Sequence, residues 1–112
     1  MATATYRAKG VTVDYTPVGA VSAGDVIVQA DLIGIVVADI AAGIYGALYV
    51  EGVFDMPKSG ESGTALPAGT RVYWDAGNAV VTATASTHKQ FGYVTIAAAD
   101  ADTTVRCLKV NA

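Results

Sequence analysis

The residue types that most often carry out chemistry are scarce in this chain. His88 is the only histidine and Cys107 is the only cysteine. A catalytic histidine or cysteine needs a positioned acid, base or nucleophile as its partner, and no motif around either residue supplies one. We therefore expect His88 in an exposed turn beside Lys89, and Cys107 as a small buried side chain on the last strand. A single cysteine also excludes an internal disulfide and a cysteine-rich zinc site.

The aspartates and glycines form no recognisable metal or nucleotide site. The eight aspartates are spread along turns and strand ends, without the D-x-D-x-D-G spacing of a calcium loop. Asp100 and Asp102 lie two residues apart in a loop, where a solvated turn is favoured over weak cation binding. The stretch Gly60–Thr64 resembles the end of a phosphate-binding loop but lacks the lysine of G-x-x-x-x-G-K-[ST]. The sequence thus predicts no catalytic site, no cofactor and no bound metal.

The composition predicts β-strands as the elements that position these residues. The chain has 112 residues, enough for one domain. It contains 34 Val, Ile and Thr residues against 17 Leu, Met, Glu, Gln, Lys and Arg, and β-branched side chains favour pleated strands. We predict an all-β fold, a single-domain β-sandwich or jelly-roll-like barrel of eight or nine short strands. This domain should span residues 10–112 and follow an N-terminal arm of residues 1–9.

Period-2 alternation and turn residues place the strands and the core. Val72 and Trp74 share one strand face and Phe54 faces inward from a longer strand, so we assign them to the core together with Val94. Gly52, inside that longer strand, is expected to mark a bulge. The predicted strands are Val11–Thr16, Asp25–Ala30, Leu32–Ala38, Tyr45–Met56, Thr70–Asp75, Ala79–Thr84, Gln90–Ile96 and Thr103–Val110.

The segment Leu32–Val50 tests whether the chain enters a membrane. It is 19 residues long with Asp39 as its only charge, nearly enough to cross a bilayer as a helix. The charge would lie near the middle of the bilayer, at a cost of about 2.5–3.5 kcal/mol. Two buried strands joined by a turn at Asp39–Gly43 explain the run better. The N-terminus lacks the apolar core of a signal peptide, so we expect cytoplasmic synthesis and no membrane partner.

The surface composition favours protein partners. Hydrophobic residues make up 53% of the chain and only 15% of its residues are charged, so a small domain must expose apolar surface that an oligomer or a large partner would cover. The net charge of −3 provides no cationic footprint, and we expect no nucleic-acid partner. An extended arm can add as a strand to a neighbour's sheet edge, although an ordinary edge strand of the same domain is an equal alternative. On the first interpretation, the predicted contact residues are Thr3, Thr5, Tyr6, Arg7 and Lys9.

Four sets of segments, in order along the chain, resemble one known family. They are Ser22–Val28 with Leu32–Val37, then Gly52–Lys58, then Ala65–Asp75 with Gly77 and Asn78, and finally Gly92–Ala98 with Asp102–Arg106. Together they resemble the capsid cement, or decoration, proteins of tailed bacteriophages. Members of this family have often been labelled predicted RecA/RadA-family phage recombinases. The missing phosphate-binding loop and the lack of a basic surface argue against that activity here.

The resemblance implies a non-enzymatic structural protein of the virion. Such a protein sits on the outer surface of the phage head and clamps neighbouring subunits of the major capsid protein. It also implies a homo-oligomer around local symmetry axes, a trimer first and a dimer second. Two other classes stay open: a tail or fibre module that binds carbohydrate through Tyr73 and Trp74, and a small β-barrel enzyme or nucleic-acid-binding protein. Finding the chain in purified tails would favour the former, and a phosphate-type salt dependence of binding the latter.

Overall fold

The structure, a computed structural model, describes Ala4 and residues 10–110. Within these residues the chain forms nine strands and no helix. The strands are β1 (Thr12–Tyr15), β2 (Val26–Gln29), β3 (Leu32–Val36), β4 (Gly46–Tyr49), β5 (Gly52–Pro57), β6 (Arg71–Asp75), β7 (Val80–Thr82), β8 (Lys89–Ile96) and β9 (Thr104–Lys109). The predicted all-β fold is confirmed.

The strands form two antiparallel sheets that pack face to face. The smaller sheet has the order β1-β4-β3-β2 and the larger sheet has the order β5-β9-β8-β6-β7. Ile33 and Ile35 of β3 lie in one apolar cluster with Val72, Trp74 and Phe91 of the larger sheet. This cluster is the core of a β-sandwich. The larger sheet also curls towards a barrel, since its two edge strands, β5 and β7, contact each other.

The smaller sheet is apolar on both faces. Residues of β3 that alternate with Ile33 and Ile35 face the other way, where Val36 joins Ile40 and Leu48 in a second buried cluster. Gly34 makes this packing possible, because a Cβ at that position would lie 2.7 Å from the Leu48 side chain. The loops before β2 and after β3 therefore cover the side of the smaller sheet that is turned away from the larger one.

The long strand predicted over Tyr45–Met56 is wrong. The chain forms β4 in the smaller sheet, crosses over at Val50 and Glu51, and enters the larger sheet as β5. Gly52 is not a bulge but the first residue after this crossover. Its φ of +142° lies in a region that side chains with a Cβ rarely adopt. The apolar alternation continues through the crossover because Val50 is buried as well.

The segment considered for a membrane span forms β3, a connecting loop and β4, as the two-strand interpretation predicted. Asp39 lies in that loop, where its carboxylate accepts a hydrogen bond of 2.8 Å from the backbone N–H of Ala23. The loop is tied to the preceding one by paired backbone hydrogen bonds between Val21 and Ile40, both 2.9 Å long. Among residues 10–110, the structure has no helix with the length and hydrophobicity needed to span a bilayer.

The structure places the four predicted core residues on the inner side of the larger sheet. Val72, Trp74 and Val94 are buried. Phe54 is partly buried, and its ring centre lies 5.8 Å from that of Tyr49, where β4 and β5 adjoin. The predicted arm contacts Thr3, Thr5, Tyr6, Arg7 and Lys9 lie outside the described residues.

Candidate functional site

One exposed apolar surface lies on the outer side of the larger sheet. Val53, Leu108, Tyr93 and Arg71 are in register across β5, β9, β8 and β6, so their side chains form a continuous row. Val53 is 57% exposed and Leu108 is 36% exposed, and Ile96, 56% exposed, lies opposite Arg106 in the next row of the same face. We call these five residues the outer sheet face. A flat patch of this kind on a small domain is typical of a surface that another protein covers.

The charged side chains in and around the outer sheet face make hydrogen bonds with neighbouring side chains. Arg71 donates a hydrogen bond of 3.1 Å to the Tyr93 hydroxyl, and its guanidinium lies 5.5 Å from the Tyr93 ring centre. Arg106 donates to Asp55 at 2.9 Å, and this hydrogen bond lowers the pKa of the Asp55 carboxyl below its usual value. Tyrosine and arginine are enriched where proteins bind each other. This composition therefore suits a protein interface with a polar border.

A second exposed apolar surface lies on two loops beside the smaller sheet. Val18 is 100% exposed, Ile44 is 57% exposed and Tyr45 is 68% exposed. We call these three residues the loop tip. A hydrogen bond of 2.8 Å from the Gly43 N–H to the Pro17 carbonyl holds the two loops together. Exposed large side chains that are grouped on adjoining loops are typical of a surface that another protein covers.

The two surfaces belong to different parts of the sandwich. The outer sheet face is directed away from the smaller sheet. The loop tip belongs to the loops that carry Val21 and Ile40, which cover the far side of the smaller sheet. One copy of the domain can therefore contact one protein through each surface at the same time.

A buried lysine fixes the two loops at one end of the larger sheet. Lys58 is only 4% exposed. Its Nζ lies 2.7 Å from the carbonyl oxygen of Ser59 and 3.2 Å from the hydroxyl of Thr64. It also lies within 2.9–3.2 Å of the carbonyl oxygens of Ala99, Asp100 and Asp102. We call this arrangement the lysine clasp. It joins the loop after β5 to the loop between β8 and β9.

Asp100 and Asp102, the candidate cation ligands, act as loop caps. The Asp100 carboxylate accepts a hydrogen bond of 2.8 Å from the Ala65 N–H, and the Asp102 carboxylate accepts one of 2.9 Å from the Ala99 N–H. Backbone hydrogen bonds, chiefly from Ala65, lower the pKa of Asp100. In the described part of the chain, no group of three or more histidine, cysteine, aspartate or glutamate side chains is placed to hold a metal ion.

The histidine and the cysteine occupy different environments. His88 is partly exposed in the turn before β8, with its Nε2 3.9 Å from a carboxylate oxygen of Asp75. Cys107 is fully buried in the core between the sheets.

A concave region of about 550 Å³ lies beside the lysine clasp and is lined by loop residues 58–66 and by β7. Its lining includes Asp75 but neither His88 nor Cys107.

The buried thiol gives a direct test of the core. Burial raises the pKa of Cys107 to about 11, so only about 0.1% of the thiol is ionised at pH 8. We expect a thiol-specific reagent to leave the native protein unlabelled at pH 8 and to label one thiol after denaturation. Absorbance or mass spectrometry measures the reaction. Rapid stoichiometric labelling under native conditions would contradict the burial of Cys107.

Comparison with known families decides between the classes that the sequence left open. The family model of the phage cement protein matches residues 7–108 of the 112. The chain belongs to the phage cement protein family. No curated protein and no solved structure matched the chain. Membership of the cement family makes this a structural protein of the phage capsid, and it confirms the resemblance seen in the sequence.

The two exposed apolar surfaces of this cement-family chain were not identified from the sequence. The strand pattern assigned alternate residues of β5 and β9 to an outer face, but it did not show that Val53 and Leu108 adjoin there, because pairing registers are not local properties. The signal that could have found them is an apolar side chain on the polar side of an alternating strand. The burial of Lys58 was not predicted either, because Lys58 stands at the start of a polar stretch of sequence.

Proposed function

We propose that this protein binds the outer surface of an assembled phage head and clamps neighbouring subunits of the major capsid protein. The observation that carries the proposal is the presence of two separate exposed apolar surfaces, one on the larger sheet and one on the loops beside the smaller sheet, in one small domain. A clamp must hold two partners at once, and the outer sheet face and the loop tip provide one contact each. The protein is made in the host cytoplasm and acts without catalysis.

Self-association is part of this proposal. The proposed assembly is a trimer at a local symmetry axis of the shell, as the resemblance to capsid decoration proteins implies, with a dimer as the alternative; both have the closed symmetry that is usual for soluble homo-oligomers. The N-terminal residues Thr3, Thr5, Tyr6, Arg7 and Lys9 are proposed as contacts to an adjacent subunit. Each copy then contributes the arm and the two apolar surfaces to a continuous layer on the head.

Two charge-introducing variants test the clamp. Val53→Asp alters the outer sheet face and Ile44→Asp alters the loop tip. Both side chains are 57% exposed, so each substitution should lower the stability of the fold by no more than about 1 kcal/mol. Each variant should bind undecorated heads at least about tenfold more weakly. Neither should raise the temperature at which the heads release DNA, because a clamp with one working surface connects nothing.

The matched control is Thr87→Asp, which places the same charge in the exposed turn before β8. It should bind and stabilise heads like the unaltered protein. Co-sedimentation with heads measures binding, and a DNA-dye melting curve of the heads measures stabilisation. The clamp proposal is wrong if both surface variants stabilise heads as well as the control does.

A further inference from the structure

Among the described residues, strand β2 pairs only with β3 and forms one edge of the smaller sheet. It pairs with β3 through a two-residue turn at Ala30 and Asp31, and the residues flanking such a turn form a hydrogen-bonded pair. Hydrogen-bonded and non-hydrogen-bonded residue pairs alternate along two antiparallel strands. The Val36 N–H donates to the Asp25 carbonyl at 2.9 Å, so this pair is hydrogen-bonded, as the alternation from the turn requires. The backbone N–H and C=O groups of Val26 and Val28 therefore point away from β3.

A groove of about 630 Å³ runs along this edge. Residues 24–28 form one wall, Asp55–Pro57 of β5 form the other, and Trp74 contributes to the lining between them. Strand β5 is also an edge strand, but Pro57 lies where an N–H would point outwards, which protects that edge from pairing. Val26–Gln29 contains neither proline nor lysine, so β2 is the less protected of the two edges.

The N-terminal arm has the pattern and the charge of a strand that fits this groove. Positions 2, 4, 6 and 8 are Ala, Ala, Tyr and Ala, and they alternate with Thr, Thr, Arg and Lys at positions 3, 5, 7 and 9. The arm carries two cations and no acidic residue. The groove lining includes Asp25 and Asp55 and no lysine or arginine. Arg106 already pairs with Asp55 from outside the lining, so Asp25 is the carboxylate that would attract the cations of the arm.

We propose that the groove beside β2 binds the N-terminal arm, residues 2–9, of a second copy of this protein as an added strand. Main-chain hydrogen bonds to Val26 and Val28 would supply affinity. Contacts of Arg7 and Lys9 with Asp25 would fix the position of the arm.

The geometry favours the arm of a neighbouring copy over the chain's own arm. Residues 1–9 precede β1, and β1 and β2 are the opposite edges of the smaller sheet. Three strand spacings, about 14 Å, separate these edges. One face of the sheet is covered by the larger sheet and the other by the loops that carry Val21 and Ile40. The chain's own arm would have to go around these layers to reach the groove.

This inference rests on the proposed self-association and deepens it. Each copy donates one arm and receives one, which a trimer satisfies by head-to-tail contacts and a two-fold dimer by reciprocal exchange. A head-to-tail contact closes into a ring when the rotation between copies matches the symmetry, as it does in a trimer. The exchanged arms would then join the copies around the axis.

Mixed disulfides test the exchange directly. One preparation carries Val28→Cys, and the other carries Thr3→Cys, Thr5→Cys or Tyr6→Cys in turn, so that both sides of the arm are sampled. Mild oxidation of an equal mixture should give a covalent dimer containing one chain of each kind, both in solution and on decorated heads. A chain that folded its own arm into the groove would cross-link only in the double variant. The unaltered protein, with Cys107 buried, is the background control.

A proline variant tests the edge independently. Val28→Pro removes an outward N–H without removing a bond to β3, and it should raise the dissociation constant of self-association by about tenfold or more. Thr12→Pro is the matched control, because Thr12 has the equivalent outward position on β1. Analytical ultracentrifugation measures the association, and circular dichroism checks the fold.

The outcomes separate this inference from the proposed function. A protein that cements heads but gives no mixed disulfide, in solution or on heads, overturns the arm exchange and leaves the clamp intact. Equal effects of the two proline variants would also overturn it. A protein that forms the mixed disulfide but does not bind heads overturns the clamp and leaves the arm exchange intact.

Discussion

Replacing Gly92 with alanine should lower the free energy of unfolding by about 3 kcal/mol or more. Gly92 lies in β8, between Val72 of β6 and Lys109 of β9. A Cβ at this position would overlap the carbonyl oxygen of Leu108, which is backbone and cannot move without opening the sheet. The melting temperature should fall by about 15 °C, since about 1 kcal/mol corresponds to several degrees in a domain of this size.

Gly77→Ala is the control for this experiment. Gly77 lies in the turn between β6 and β7, where the nearest atom to an added Cβ is a carboxylate oxygen of Asp75 at 3.5 Å. That is an ordinary contact, so the substitution should change stability by less than about 0.5 kcal/mol. Thermal unfolding followed by circular dichroism compares the two variants. Equal melting temperatures would show that β8 and β9 are further apart than described.

Replacing Lys58 with methionine should also destabilise the fold, by about 3 kcal/mol. Methionine has a similar length but no donor, so the carbonyl groups of Ala99, Asp100 and Asp102 lose the ammonium that they share. Each buried acceptor left without a partner costs about 1–3 kcal/mol, and water entering at the loop surface recovers part of this. Hydrogen exchange should increase in residues 59–65 and 97–102 before it increases in the strands.

Lys89→Met provides the matched comparison. The Lys89 side chain is 44% exposed and pairs with the exposed Asp31 at 2.7 Å, and an exposed pair contributes at most about 1 kcal/mol. Chemical denaturation should therefore separate the two methionine variants clearly. If both lose the same small amount of stability, the lysine clasp is not what holds the two loops.

The strands of the larger sheet were the most predictable part of the fold. In β6 and β9, buried and exposed residues alternate without interruption, and glycine- or proline-containing turns mark where strands end, so local pattern is sufficient. The crossover at Val50 and Glu51 was not predictable, because the alternation of apolar residues is the same whether a strand continues or changes sheets. Gly52 was the one residue in this stretch that indicated an interruption of the strand, and a bulge within one long strand explains a glycine there equally well.

The candidate site depends on contacts between distant parts of the chain. Lys58 reads as the start of a polar loop, yet its carbonyl partners at Ala99 and Asp102 lie 41 and 44 residues further along. No local property of Lys58 identifies it as buried. The outer sheet face is similar, because Val53 and Leu108 are adjacent only through strand pairing. The arm, in contrast, was proposed from local composition, and its role stays a prediction.

The position of β9 between β5 and β8 has a consequence for synthesis of the protein. Gly52 pairs with Lys109, so β5 has its partner strand 57 residues further along the chain. The larger sheet cannot be completed until β9 has been synthesised, and pairing over such separations is slow. A nascent chain would expose β5 and its apolar residues throughout this interval. The outer sheet face, which places Val53 beside Leu108, would therefore form only when β9 pairs with β5, as one of the last steps of folding.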